Sequence, residues 1–216
     1  MKIVPATIEI LSTESYEEML LRIERAGRVC YKSEGAIGDG SAERFIKNIL
    51  KRGHESVIEH GSITVKVTCD RGVTHEIVRH RIASYSQEST RYCNYANDKF
   101  DNQISCIDLA SGFQYDLNDE KDLKKYEVWQ EAMKAAEQYY FKMLELGARP
   151  EEARSILPNS LKTEIVMTMN LREWRHFIRL RGARAAHPQI REITVQILEA
   201  FKERYPLFFE DLEAVI

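Results

Sequence analysis

Apolar positions along the chain fall into two periods. Residues 62–69 alternate, with Ile63, Val65, Val67 and Cys69 on one parity, the pattern of a strand buried on one face. Residues 161–169 repeat it through Ile165, Met167 and Met169. Residues 2–11 alternate more loosely, with a break at Pro5, and 104–109 is a further strand candidate. Helical spacing runs through Met19, Leu20, Ile23, Ala26 and Val29, after N-cap candidates at 12–15. Ser41 is expected to cap a short helix through Phe45, Ile46, Ile49 and Leu50 that Gly53 ends. Asp70-Arg71-Gly72 reads as a turn or cap before a short helix over 73–81, and 111–120 as a surface loop. A long amphipathic helix is expected over 121–147, with Trp129, Met133, Ala136, Tyr140 and Leu144 near one face. Further helices are expected at 151–156, 171–181 and 188–205, and Pro206 stops the last before a short helical tail. The order of strands and helices is mixed, with no repeat or linker. The reading is one α+β domain over residues 1–216, a mixed or antiparallel sheet packed by helices.

Composition narrows the function classes. The 216 residues are 44% hydrophobic and 30% charged, with a formal net charge of −3. Nothing draws the whole chain to nucleic acid or anionic lipid, so any positive patch is local. No apolar run approaches the roughly 20 residues of a membrane span, and the N-terminus lacks a signal-peptide core. A cytoplasmic protein is expected. Cys30, Cys69, Cys93 and Cys106 form no C-x-x-C pair and read as reduced structural thiols.

Residues 79–92 break both periods. Arg79, His80 and Arg81 stand together, and Arg91 follows a run of hydroxyls and amides at Ser84, Tyr85, Ser86, Gln87, Ser89 and Thr90. Buried cations need partners, so the stretch reads as a receptor for something anionic and rich in acceptors. A polar turn, Gly53-His54-Glu55-Ser56-Val57-Ile58-Glu59-His60, lies upstream. His75 and His80 are five residues apart, about 500° on a helix, so they share no face and no metal site is expected. Neither a P-loop nor G-x-G-x-x-G is present, so a nucleotide would be held by side chains. No G-x-S-x-G marks a nucleophilic serine.

A second basic cluster spans Leu171 to Arg181. On a helical wheel Leu171, Trp174, Phe177 and Ile178 form the apolar arc. Arg172, Arg175, His176 and Arg179 fall opposite, and Arg181 falls on the apolar arc. Arg181 is either a helix C-terminal cation favoured by the dipole or a partly buried guanidinium awaiting an anion. Arg154, before Ile156-Leu157-Pro158, is a similar lone cation. Read by residue type alone, the two clusters also suit a nucleic-acid surface, though aromatics are few, or a metal-dependent nucleotide hydrolase.

Arg79, His80, Arg81, Ser84, Ser89 and Arg91 fill the pattern R-H-R-x-x-S-x-x-x-x-S-x-R. It resembles the signature of the flavin-dependent thymidylate synthases. The 53–60 turn, Ala153-Arg154-x-x-Leu157-Pro158, Asn170-x-Arg172 and Leu180-Arg181 resemble other elements of that family, from about residue 50 to about 191. The resemblance implies the thymidylate synthase-complementing protein fold and a non-Rossmann FAD site. The implied reaction is reductive methylation of dUMP to dTMP. 5,10-methylenetetrahydrofolate would supply the carbon, and FAD reduced by NADPH the hydride. It also implies a homotetramer with shared active sites.

Carried over by motif position, dUMP would meet Glu76, Ile77, Val78, Arg79, Gln87, Glu88, Ser89, Thr90, Arg91, Arg154 and Arg181. FAD would meet His54, Ser56, Arg79, His80, Arg81, Gln87, Asn170, Arg172 and His176. Arg181 resembles the arginine that favours ionisation of the uracil at N3. Ser89 is expected to bind rather than attack. The chain departs from the family pattern at Glu76, where glutamine is common, at Ser86 and Gln87, where some members carry asparagine and glutamate, and at His176, which replaces an amide.

Overall fold

Pro5 divides the first apolar run into two strands that join different sheets. In the computed structural model, which describes residues 1–215, β1 (Lys2–Val4) pairs in parallel with β5 (Ser105–Ile107). Strand β2 (Thr7–Ile10) is the edge of a four-stranded antiparallel sheet, continued by β3 (Ser62–Asp70), β6 (Lys162–Asn170) and β4 (Ala83–Gln87). β3 and β6 pair along nine residues, from Ser62↔Asn170 to Asp70↔Lys162. The register places Ile63, Val65, Val67 and Cys69 beside Met169, Met167, Ile165 and Thr163 on one buried face. The other face is polar, and the Thr64 and Thr168 hydroxyls meet across it at 2.9 Å.

Helices cover the buried face. A capping box of Ser15 and Glu18 starts α1 (Tyr16–Arg28). A Cβ at Gly27 would lie 2.6 Å from the Phe45 ring, so glycine lets α1 approach α2 (Ser41–Lys51). The cap of α2 is Gly40, at φ +64°, and not Ser41. The Ser41 hydroxyl instead donates at 2.8 Å to the buried Glu24, which also accepts two bonds from Arg28. The Ser41 oxygen also accepts from Gly38 N at 3.0 Å, so Ser41 ties the start of α2 to the loop before it and to α1.

Asp70 ends β3 and caps α3 (Arg71–Ile77), accepting from Val73 N at 2.7 Å. The helix stops at Ile77, not 81, so the basic triplet lies on a turn. A short α4 (Leu109–Phe113), capped by Asp108, occupies the start of the expected 111–120 loop. The long α5 (Glu120–Glu145) buries only Tyr140 completely, in a small second core with Tyr95, Ile104, Cys106, Ala153 and Leu161. After α6 (Pro150–Ala153) and a 3-10 turn over Arg154–Ile156, β6 leads directly into α7 (Leu171–Arg181). Then α8 (Pro188–Arg204) and α9 (Pro206–Phe209) close the main core. Trp174, Phe177, Phe201, Phe208 and Phe209 interlock there, and Trp174 Nε1 donates to Ile63 O at 3.0 Å.

The structure is a single α+β domain with a parallel pair and an antiparallel sheet. No helix among the described residues is long and apolar enough to cross a membrane. All four cysteines are free. Burial raises the Cys69 and Cys106 thiols, Cys106 to about 12, which keeps them protonated and inert. Cys30 is exposed and has no structural burial to account for it.

Candidate active site

The wheel of α7 misplaces one arginine. Arg175 is buried, with 3% of its side chain exposed. It donates to both carboxylate oxygens of Asp211, to Phe208 O and, at 3.3 Å, to Glu55. It is a structural clasp between α7 and the chain after α9. Arg181 faces another way. Its Nη1 donates to the Glu76 carboxylate, its Nη2 to Glu76 O at 2.8 Å, and its Nε to His80 Nε2 at 3.1 Å. The anion that Arg181 lacked in the sequence is therefore Glu76, on α3. Of the two readings of Arg181, the helix end does not account for it, because its bonds go to other elements.

Those elements are fixed by the residues between them. Tyr85, on β4, sets its hydroxyl 2.9 Å from Ile77 O and 2.7 Å from His80 O, which fastens the basic turn to the sheet. Desolvation pushes this phenol up to about 12, so it stays a donor. His80 is only 4% exposed. Its Nδ1 lies 2.9 Å from Glu173 Oε1, and its ring packs on Phe177 at 4.8 Å and His176 at 5.4 Å. Burial lowers its pKa first; the Glu173 bond opposes this and the Arg181 charge reinforces it.

Beside this hub lies a cleft of about 450 Å³ lined by Asn170, Arg172, Glu173, His176, Arg179, Ile82, Glu55 and Glu59. Three of the expected FAD contacts, Asn170, Arg172 and His176, thus share one cleft. Asn170 already accepts from Glu173 N as the cap of α7, and Arg172 pairs with Glu59 at 2.6 Å. His54 and Ser56 are exposed on and before the 3-10 turn (Glu55–His60) that supplies Glu55 and Glu59. Arg79 and Arg81 are exposed beside the buried His80.

The dUMP set divides. Glu76, Ile77, Val78 and Arg79 lie before β4, and Gln87 to Arg91 at its far end. Four strand residues, Ala83 to Ser86, separate the groups, about 14 Å. The far group is largely engaged already. Gln87 Nε2 donates to Thr74 Oγ1 at 3.1 Å. The Glu88 carboxylate accepts from Tyr95 and Lys162, and its backbone pairs with Glu164 and Arg71. Ser89 Oγ accepts from Arg91 N, and Thr90 is buried. Arg91 is exposed, its Nε donating to Glu151 at 3.3 Å. Arg154, one turn beyond Glu151, is exposed on the same rim.

His80, Glu173 and His176 bring three potential ligand atoms within 4.8 Å of one another. Both ring nitrogens of His80 are engaged, and the Arg181 cation abuts one of them. The donor set fits a hydrogen-bonded hub better than a divalent cation.

Comparison with known proteins decides the family. A family model described as thymidylate synthase complementing protein matches residues 13–207. The chain belongs to that family. It is 37% identical over 169 residues to a flavin-dependent thymidylate synthase of Pyrococcus furiosus, a match covering 78% of this chain and 66% of that protein. A flavin-dependent thymidylate synthase of Geobacter sulfurreducens is 35% identical over 193 residues, covering 86% and 78%. One from Mycolicibacterium vanbaalenii is 33% identical over 212, covering 90% and 80%. The chain thus spans about two thirds of the first protein's length and more of the other two.

Membership in the thymidylate synthase complementing family accounts for the R-H-R motif. It does not account for two residues that sequence reasoning passed over. Tyr85 read as one hydroxyl in a polar run, and β4 was not anticipated because Ala-Ser-Tyr-Ser-Gln carries little apolar signal. Glu173 carried no assignment in the sequence, where it is one acid within the basic cluster from Leu171 to Arg181.

Proposed function

We propose that this chain converts dUMP to dTMP by reductive methylation, with FAD as cofactor and NADPH and 5,10-methylenetetrahydrofolate as co-substrates, releasing tetrahydrofolate. The observation that carries the reading is the junction of the motif with α7. His80 of the R-H-R turn meets Arg181, at the edge of a cleft lined by Asn170, Arg172 and His176.

The residues present suit such a cofactor. The cleft volume is within the range of cofactor sites. Its donors are two guanidiniums, an amide and an imidazole, and Glu59 and Glu55 lie within ion-pair reach of the arginines. Bound there, FAD would supply the hydride. The chain's own part is to bind, orient and polarise. Arg79, Arg91 and Arg154 offer guanidinium forks for a nucleotide phosphate. Arg181 would hold positive charge where negative charge develops on the pyrimidine, the arrangement that lowers a barrier most. Ser89 would bind through its hydroxyl.

The division of the dUMP residues between the two ends of β4 supports a site shared between subunits of a homotetramer. Arg79 and Arg181 of one copy would then face Arg91 and Arg154 of another. A cytoplasmic location belongs to this reading.

The test is an absorbance spectrum of the purified protein together with tritium release from C5-labelled dUMP. A yellow protein that releases tritium when given NADPH and the folate is expected. A colourless protein that takes up no added FAD overturns the reading.

A further inference from the structure

Glu173 contributes no motif residue, yet it stands at one end of a chain of four hydrogen-bonded polar side chains. Its carboxylate lines the 450 Å³ cleft and meets His80 Nδ1 at 2.9 Å. His80 Nε2 meets Arg181 Nε at 3.1 Å, and Arg181 meets Glu76, which lines a second cavity of about 250 Å³. Four side chains thus join two cavities.

We propose that Glu173 is a positioning residue for Arg181, acting through His80: it holds the proton on Nδ1 and so leaves Nε2 free to accept from the guanidinium. The proposal rests on the reading that Arg181 faces the pyrimidine.

An arginine Nε–H only donates, so His80 Nε2 must carry a lone pair at that contact. An ionised carboxylate only accepts, so Glu173 selects the Nδ1–H form. The other tautomer would set two N–H groups against each other at 3.1 Å and a lone pair against the carboxylate. The imidazolium would also present an N–H to Arg181. Burial of the ring excludes both remedies, since water has little access to repair a mismatch and the charged form is disfavoured. Glu173 is itself anchored, because its N–H donates to Asn170 Oδ1 at 2.8 Å in the first turn of α7.

The guanidinium is consequently held at three points, by His80, the Glu76 carboxylate and Glu76 O. Three of its five N–H donors are engaged, and two remain for a ligand. Removing the Glu173 carboxylate loosens the point that sets the tilt of the plane.

The test uses the full chain. Glu173→Gln keeps the shape, but its amide can donate to Nδ1 as well as accept from it, so the carboxylate's selection of the Nδ1–H form is lost. Nitrogen-15 spectra of protein labelled only at histidine report the tautomer directly. There are six histidines, and the His80 signals are those lost in His80→Gln. The wild type should show His80 neutral and Nδ1-protonated. Glu173→Gln should move part of the population toward Nε2–H and lower kcat/KM for dUMP by about 10-fold or more, by analogy with partners that orient metal-ligating histidines. The unfolding midpoint should stay near wild type, and Glu173→Asp, which keeps the carboxylate, should recover part of the loss. A wild-type His80 that is Nε2-protonated or imidazolium at neutral pH overturns the proposal, as does a Glu173→Gln variant with unchanged tautomer and unchanged kinetics. If the wild type neither binds flavin nor turns over dUMP, the functional reading fails, while the tautomer measurement still decides the Glu173–His80–Arg181 arrangement.

Discussion

Arg175 and Arg181 lie about one and two-thirds turns apart on α7, and the middle and the C-terminal end of that helix use the same side chain in opposite ways. Around Arg175 the network is closed. The guanidinium is buried, and its donors go to Asp211, Phe208 O and Glu55. Around Arg181 the network is open. With 13% of its side chain exposed, it is tied to Glu76 and His80 between two cavities and keeps donors in reserve. An arginine that satisfies itself entirely within the fold contributes to stability. One that is oriented but not exhausted is prepared for a ligand.

The sharpest way to break this contrast is Arg181→Ala. A fixed donor facing developing charge is worth about 10²–10³-fold in rate, so turnover of dUMP should fall by that factor. Flavin retention and the unfolding midpoint should stay near wild type. Steady-state kinetics beside the flavin absorbance would show it, and equal loss of both would remove Arg181 from the pyrimidine.

Arg175→Ala should do the converse. Removing a buried partner of an ion pair costs about 3–5 kcal/mol. Asp211 is 53% exposed and can be rehydrated, so about 2–4 kcal/mol is expected in denaturant unfolding. The activity per folded molecule should change little. A variant as stable as wild type would show that the clasp contributes nothing.

The smallest effect concerns pH. The Arg175 hydrogen bond holds the Asp211 carboxyl below its ordinary value of 3.8. The folded state therefore favours the ionised form. Its contribution is fully present above about pH 4 and is lost as pH falls through the lowered folded value. Asp211→Asn should remove that part of the acid sensitivity, at a cost of about 1 kcal/mol at neutral pH. His80 adds a separate slope of the same sign. Its pKa is lowered on folding from 6.5, so the unfolded chain takes up the proton first and stability declines as pH drops below about 6.5. Unfolding midpoints of Asp211→Asn between pH 3 and 7 should keep the His80 slope and lose the lower one.

Much of the fold was legible in the alternation. Ile63 to Cys69 and Ile165 to Met169 are buried strand positions, as their parity implies, and α1, α7 and α8 fall close to their expected bounds. The misses share a cause. β4 is polar and joins the sheet through backbone bonds to β6, which composition does not record. Arg175 sits on the polar side of a wheel drawn with one buried arc, but the chain after α9 folds back to cover that side. Ser41 is the first residue inside α2 and not its cap, and its hydroxyl donates to the buried Glu24 of another helix.

The candidate site divides along the same line. By itself the sequence determined which residues are candidates: the R-H-R motif and the lone Arg154 and Arg181, with no phosphate loop beside them. These are local patterns, fixed by spacing. Only the tertiary structure decided which of them meet. It gave Arg181 its counterion in Glu76, 105 residues earlier. It placed Glu173 behind His80, and it set the two halves of the nucleotide set at opposite ends of β4. A hydrogen bond depends on separations of a few tenths of an ångström between groups far apart in the chain, and that information exists only once the core has packed.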